Sequence, residues 1–297
     1  MKTIWSMADR NRKLFFRDRG MLLSSLITPI ILIALYVTFL AKIYKDSFAA
    51  NIPEVLNVAE KLINGTVAAQ LTAALLAVSC VTVTFCVNLT MVQDRANGSR
   101  KDFDVSPVRK PAIYLGYFVS TVLNSLMVNL LAFALCLCYV AMMGWYLTIT
   151  DVLMLILDIV ILVLFGTVLS SIVCYPLKTQ GQMSAVGTIV SAGYGFICGA
   201  YMPISNFGEG LQKVLSYLPG TYGTSLIKNH MLQGVFEAME AESFPKEVVT
   251  GIADSLDCNP VFRENVVSPS AMMLIMLVTI LVLGGIYFMM TSLPERH

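Results

Sequence analysis

The chain has 297 residues, of which 57% are hydrophobic and only 13% charged, and its mean hydropathy is +0.74. A typical soluble domain carries about 25% charged residues, so this chain cannot cover itself with a water-facing surface and reads as an integral membrane protein. Its net charge of +1 gives no reason to expect nucleic acid as a partner, and two histidines leave little room for an imidazole metal centre.

The first segment mixes Trp5, Leu14, Phe15 and Phe16 with Arg10, Arg12, Lys13 and Arg17. That composition suits an interfacial helix over residues 1–20, with Trp5, Phe15 and Phe16 in the headgroup zone. Runs without Asp, Glu, Lys or Arg then cover 20–41, 62–93, 111–150, 179–208 and 265–294, and 152–177 is broken only by Asp158. A helical span needs about 20 apolar residues. Six spans are therefore expected, with cores near 21–41, 67–92, 117–142, 152–173, 183–202 and 271–291. The first run is too long for a cleaved signal sequence. The run 111–150 has no polar turn at its middle and reads as one span.

Lys and Arg crowd the N-terminal segment and loop 93–111, which holds Arg95, Arg100, Lys101, Arg109 and Lys110. Loop 42–66 sets Lys42, Lys45 and Lys61 against Asp46, Glu54 and Glu60. The positive-inside rule then puts both termini in the cytoplasm and segment 203–270 outside.

Within this frame, several features stand out in chain order. Gln70, Ala77, Thr84 and Asn88 fall near one face of the second span. They line either a pathway or subunit interface, or an ordinary helix contact in which hydroxyls bond back to their own backbone. Loop 93–111 predicts a short helix around 99–105. Asn97-Gly98 turns into it, Ser99 and Asp102 form a capping-box-like start, and Ser106-Pro107 ends it. It would present Phe103 among Arg100, Lys101, Asp102 and Asp104 as a plug for a partner's groove.

Asp158 lies seven residues into the fourth span, about 10 Å from its outer end. An acid inside a span is a functional-site candidate. No span core offers Lys or Arg, so Asn124 and Asn129 are the expected partners, or the acid is protonated. In the fifth span Gly187, Ser191, Gly195 and Gly199 recur every four residues, a pattern for close backbone approach within the chain or across a dimer axis. Beyond it, Phe207, Leu211, Val214, Leu215 and Leu218 predict an amphipathic helix, broken at Pro219-Gly220. A second apolar pattern follows through Tyr222, Leu226, Ile227 and Leu232, and His230 within it reads as a wet surface residue. Residues 236–268 are acidic and punctuated by Pro245 and Pro260. Five of seven cysteines fall inside spans, so no disulfide framework is expected.

No phosphate-binding Gly-Lys loop, H-E-x-x-H, C-x-x-C or G-x-S-x-G motif occurs. Catalytic, cofactor and metal residues are therefore not assigned, and transport against a gradient would draw energy from another chain or from ion coupling.

The basic start Asn11-Arg12-Lys13-Leu14-Phe15-Phe16-Arg17-Asp18, the inner loop Gly98-Ser99 to Ser106-Pro107-Val108, and Gly199-Ala200-Tyr201-Met202-Pro203 followed by Leu218-Pro219-Gly220-Thr221-Tyr222 resemble the ABC-2 type permeases, the membrane subunits of ATP-binding-cassette exporters. The resemblance covers nearly the whole chain. It implies an all-α transmembrane domain over 1–297 that pairs with a second permease chain in the plasma membrane, in bacteria the cell membrane. It implies separate ATPase subunits that bind the ATP. It makes Ser99, Arg100, Lys101, Asp102, Phe103 and Asp104 the coupling helix, and brings the second and fifth helices, with Gln70, Thr84, Asn88, Gly187, Ser191, Gly195 and Gly199, towards the dimer axis. The acidic element 236–268 and the lone Asp158 depart from the pattern. The other readings are an ion-coupled carrier using Asp158 and a non-transporting membrane scaffold or immunity protein.

Overall fold

The computed structural model describes residues 2–35, 38, 42, 60–262 and 265–292. The chain runs α1 (Lys2–Arg17), α2 (Arg19–Leu35), α3 (Glu60–Ala96), α4 (Arg100–Asp104), α5 (Lys110–Met143), α6 (Ile149–Cys174), α7 (Gln180–Ile197), a 3-10 turn (Ile204–Asn206), α8 (Glu209–Leu215), α9 (Pro219–Ala241), α10 (Lys246–Ser255), a two-stranded hairpin of β1 (Val261–Phe262) and β2 (Asn265–Val266), and α11 (Pro269–Ser292).

Four of these helices, α3, α5, α6 and α11, are long and apolar enough to cross a membrane. With 37 residues, α3 is about 55 Å long at 1.5 Å per residue, so it overruns a bilayer core of about 30 Å. Of the first expected core, residues 36–41 other than Thr38 lie outside the described residues, as do Lys45, Asp46 and Glu54 of loop 42–66. In the fifth, α7 is diluted by Gln180, Gln182 and four glycines, and it stops five residues before the expected end of that core. Its stop is a Schellman motif. Gly199 takes φ +72°, the Ala200 N–H donates to Gly195 O at 2.9 Å, and the Gly199 N–H to Phe196 O at 3.3 Å.

Local chemistry sets the helix starts. Thr148 and Asp151 cap α6 reciprocally: Thr148 Oγ1 accepts the Asp151 N–H at 3.2 Å and Asp151 Oδ2 the Thr148 N–H at 2.8 Å. Thr179 and Gln182 do the same for α7. Pro219 opens α9, where its missing N–H costs nothing. At α4 the expected cap is absent: Ser99 is already helical and its side chain caps nothing. The helix is only 100–104, and Ser106 closes it by donating to Phe103 O at 2.8 Å.

α3 is the axis of the fold. It is buried along most of its length by α2, α5, α6, α7 and α9. The small and β-branched residues of its sequence, such as Ala73, Ala74, Ala77 and Val81, let those neighbours close in, and all are at most 2% exposed. The outer faces of α5 and α11 instead leave Leu131 and Leu135, and Leu281 and Phe288, uncovered. In a bilayer such apolar faces meet hydrocarbon.

α1 packs on α5 with Met7, Ala8, Asn11 and Phe15 buried on one face. This corrects the expectation for Phe15. It is fully buried, against Val83, Val87 and Val128, while Trp5 and Phe16 remain on the exposed face. The amphipathic helix expected over 207–218 is also shorter. Only 209–215 is helical, Leu215 is buried, and Leu211 and Val214 stand exposed. Tyr222, Leu226, Ile227 and Leu232 all face inward from α9, as their spacing predicts.

Candidate functional site

Two separate clusters of polar side chains stand out in the bundle. The first gathers around α4, where α1, α3 and α5 meet. The Arg10 guanidinium reaches Asp94 with two hydrogen bonds of 2.7 and 3.2 Å. Tyr117 donates to the same carboxylate at 2.5 Å. Arg10 also lies over the Phe103 ring, 5.1 Å from its centroid, a cation–π contact. Phe103 is therefore half-buried beneath Arg10 rather than an exposed plug. Val105 projects from this loop instead, 86% exposed.

Arg95, one residue past Asp94, donates to the backbone that ends α6: to Leu177 O at 3.0 Å, to Cys174 O at 3.4 Å and to Tyr175 O. It also meets Tyr114 Oη at 3.0 Å. The Arg100 guanidinium stacks on the Tyr114 ring at 4.6 Å. Lys101 and Asp102 are exposed, and Ser99 is half-exposed. Cations at a helix end carrying free carbonyls are favourable, and here they join α4 to α1, α3, α5 and α6. On α1, Lys13 and then Arg12 hold the Asp9 carboxyl below its ordinary range.

The expected stripe on α3 lies inside the subunit. Gln70, Thr84 and Asn88 are each at most 2% exposed. Asn88 Nδ2 donates to Ser170 Oγ at 3.1 Å and Ser171 Oγ at 3.0 Å, and Thr121 donates to Asn88 Oδ1 at 3.4 Å. Thr84 bonds back to Val81 O at 2.6 Å. These contacts fasten α3 to α5 and α6 of the same chain. On α7, Gly187 approaches Leu89, Gly195 lies under the Tyr201 ring, and Ser191 O accepts from Tyr201 Oη at 3.5 Å. Gly199 serves the turn described above.

The second cluster lies where α9 folds back onto α3 and α6. Asp158 is fully buried, and its Oδ2 meets His230 Nδ1 at 2.6 Å. This replaces the expected partners: the Asn124 amide donates to Ser120 Oγ at 3.4 Å and the Asn129 amide to Ser125 O at 2.8 Å, both on their own helix. His230 is accordingly not a wet surface residue. The two are 72 residues apart, and only the return of α9 brings them together.

Lys228, two residues earlier, was not singled out in the sequence. It is fully buried, donates to Gly199 O at 2.9 Å and pairs with Asp257 Oδ2 at 3.6 Å. Asp257 Oδ2 also accepts the Ile204 N–H at 2.7 Å. Burial pushes the Asp257 carboxyl above its ordinary value, against the pull of Lys228 and Ile204. The signal available was a single lysine inside the apolar pattern Tyr222, Leu226, Ile227, Leu232.

An all-helical bundle with apolar outer faces and polar groups turned inward defines an integral membrane protein. A match to the ABC-2 type transporter family spans residues 2–232, well over half of the chain, and the chain belongs to that family. It is thus the membrane component of an ABC transporter. No curated protein matches the chain significantly.

Proposed function

We propose that the chain is one half of an ATP-driven exporter, a single transmembrane domain of six spans with both termini in the cytoplasm. Two such chains, identical or not, pair in the cell membrane, and separate ATPase subunits dock beneath loop 93–111. ATP binding on the partner pushes α4, and the push reaches the spans through the Arg10–Asp94–Tyr117 and Arg95 contacts. The observation that carries this reading is the construction of the loop: α4 is held from α1, α3 and α5, and it offers Val105 to the solvent. In this reading the acidic segment after α9 is external, and the Asp158–His230 pair lies within the span below it.

Co-purification tests the proposal. The intact permease should bring down an ATPase subunit and raise its ATP hydrolysis in proteoliposomes. Transport that persists without ATP and stops when the proton gradient collapses would instead favour an ion-coupled carrier.

A further inference from the structure

Among the described residues, the contact between Asp158 and His230 is the one side-chain hydrogen bond that joins α6 to α9. Its buried surroundings are largely apolar: Leu155, Ile159 and Leu162 of α6 and Ile227 and Met231 of α9 are fully buried in one apolar cluster. Asp158 has no exposure, while 13% of the His230 side chain reaches the surface. A proton therefore enters the pair through the histidine.

With one proton between them, the two groups are neutral as a pair. Removing it leaves a carboxylate alone inside a membrane span, which is costly. Adding a second leaves an imidazolium facing a neutral acid. The pair thus ties seating of α9 to a proton count. We infer that Asp158 and His230 form a proton-held latch, which keeps α9 seated on α6 in acidic and neutral medium and loosens it as the medium turns alkaline.

The direction follows from the histidine. Burial lowers its pKa, but the Asp158 hydrogen bond and charge, with Asp151 behind, outweigh that and hold it above its ordinary value. A histidine raised in the folded state gives its full stabilisation below its free pKa of about 6.5 and loses it as pH rises through the folded value. Few other groups interfere. α6 brings Asp151, α3 brings Cys80 with Glu60 and Lys61 at its near end, and α11 carries no acid, base or histidine. On α9 itself, Lys228 is held by Gly199 and Asp257, and Glu237 accepts from Gln233. α10 contributes Lys246, Glu247 and Asp254.

Release of α9 reaches further, because Lys228 holds the carbonyl that ends α7 and Asn229 donates to Cys258 O. The latch concerns this subunit alone and holds whether or not the chain exports.

The test is hydrogen exchange of the full chain in nanodiscs from about pH 6 to pH 9, corrected for intrinsic rates, with α5 peptides as reference. Protection of α9 should fall relative to α5 by up to about tenfold for each unit by which the folded histidine pKa exceeds the free one. His230→Gln, which keeps an amide donor but does not titrate, should give a flat profile. Should that variant misfold because Asp158 is left unpaired, Asp158→Asn combined with His230→Gln removes the charge and should also be flat. A flat α9 profile in the parent, or the same fall in either variant, overturns the latch.

Discussion

Tyr201 lies so close over Gly195 that a Cβ built on the glycine would stand 2.2 Å from the ring. The ring also makes a T-shaped contact with Phe196, centroids 5.1 Å apart, which is lost if it swings away. Gly195→Leu should therefore destabilise the isolated subunit, by about 1–3 kcal/mol for an overpacked site. Gly193, on the same helix, has nothing within 4 Å, and Gly193→Ala should be neutral or stabilising by up to about 1 kcal/mol. Thermal unfolding in detergent separates the two. If Gly195→Leu melts with the parent but fails to pair, the glycine faces a second chain instead.

The buried Lys228–Asp257 pair gives an ordered series. Removing one partner of a buried ion pair costs roughly 3–5 kcal/mol, because the other is left unpaired. Lys228→Ala and Asp257→Ala should fall in that range. Asp257→Asn keeps an acceptor for the Ile204 N–H and should cost less. Unfolding temperatures, with tryptic cleavage of segment 203–268 as a local probe, check the order. Equal losses for Asp257→Asn and Asp257→Ala would show that charge, not the acceptor, matters at this position.

What the sequence revealed and what it hid follow a physical line. Helix positions were legible because charge-free length is local, whereas the caps were not: the expected Ser99 cap of α4 is absent, and the Thr148–Asp151 box that starts α6 emerges only in the structure. The inward face of α9 was equally plain from its period. Partners were not legible. Asp158 meets His230, and Lys228 meets Gly199 and Asp257, only because α9 folds back on the bundle. Periodicity also cannot tell which side of an amphipathic helix meets lipid and which meets protein, so Phe15, expected in the headgroup zone with Trp5 and Phe16, is buried in the bundle while the other two stay exposed. Phe103 misled for a similar reason, since its cover comes from Arg10, far away in sequence.

The burial of Phe15 is itself testable. Phe15→Ala should destabilise by about 3–5 kcal/mol, as expected for a buried phenylalanine. Phe16→Ala and Trp5→Ala should leave thermal stability nearly unchanged and instead weaken burial of α1 in the interface. Unfolding temperature reads the first effect, and tryptophan quenching by lipid-borne quenchers in the Phe16→Ala variant reads the second. Similar unfolding losses for Phe15→Ala and Phe16→Ala would put both rings in the core.

In the proposed exporter, α4 and the residues after it are the point where an ATPase subunit engages. The most direct measurement is permease-dependent ATP hydrolysis in proteoliposomes holding the ATPase subunit that co-purifies with the parent, compared for Val105→Asp, Phe103→Ala and the parent. Val105 is 86% exposed and makes no core contribution, so Val105→Asp should leave the unfolding temperature alone while abolishing both co-purification and stimulation. Phe103→Ala removes the ring under Arg10, and it should keep docking but lose most of the stimulation. Full binding and stimulation by Val105→Asp would contradict the account.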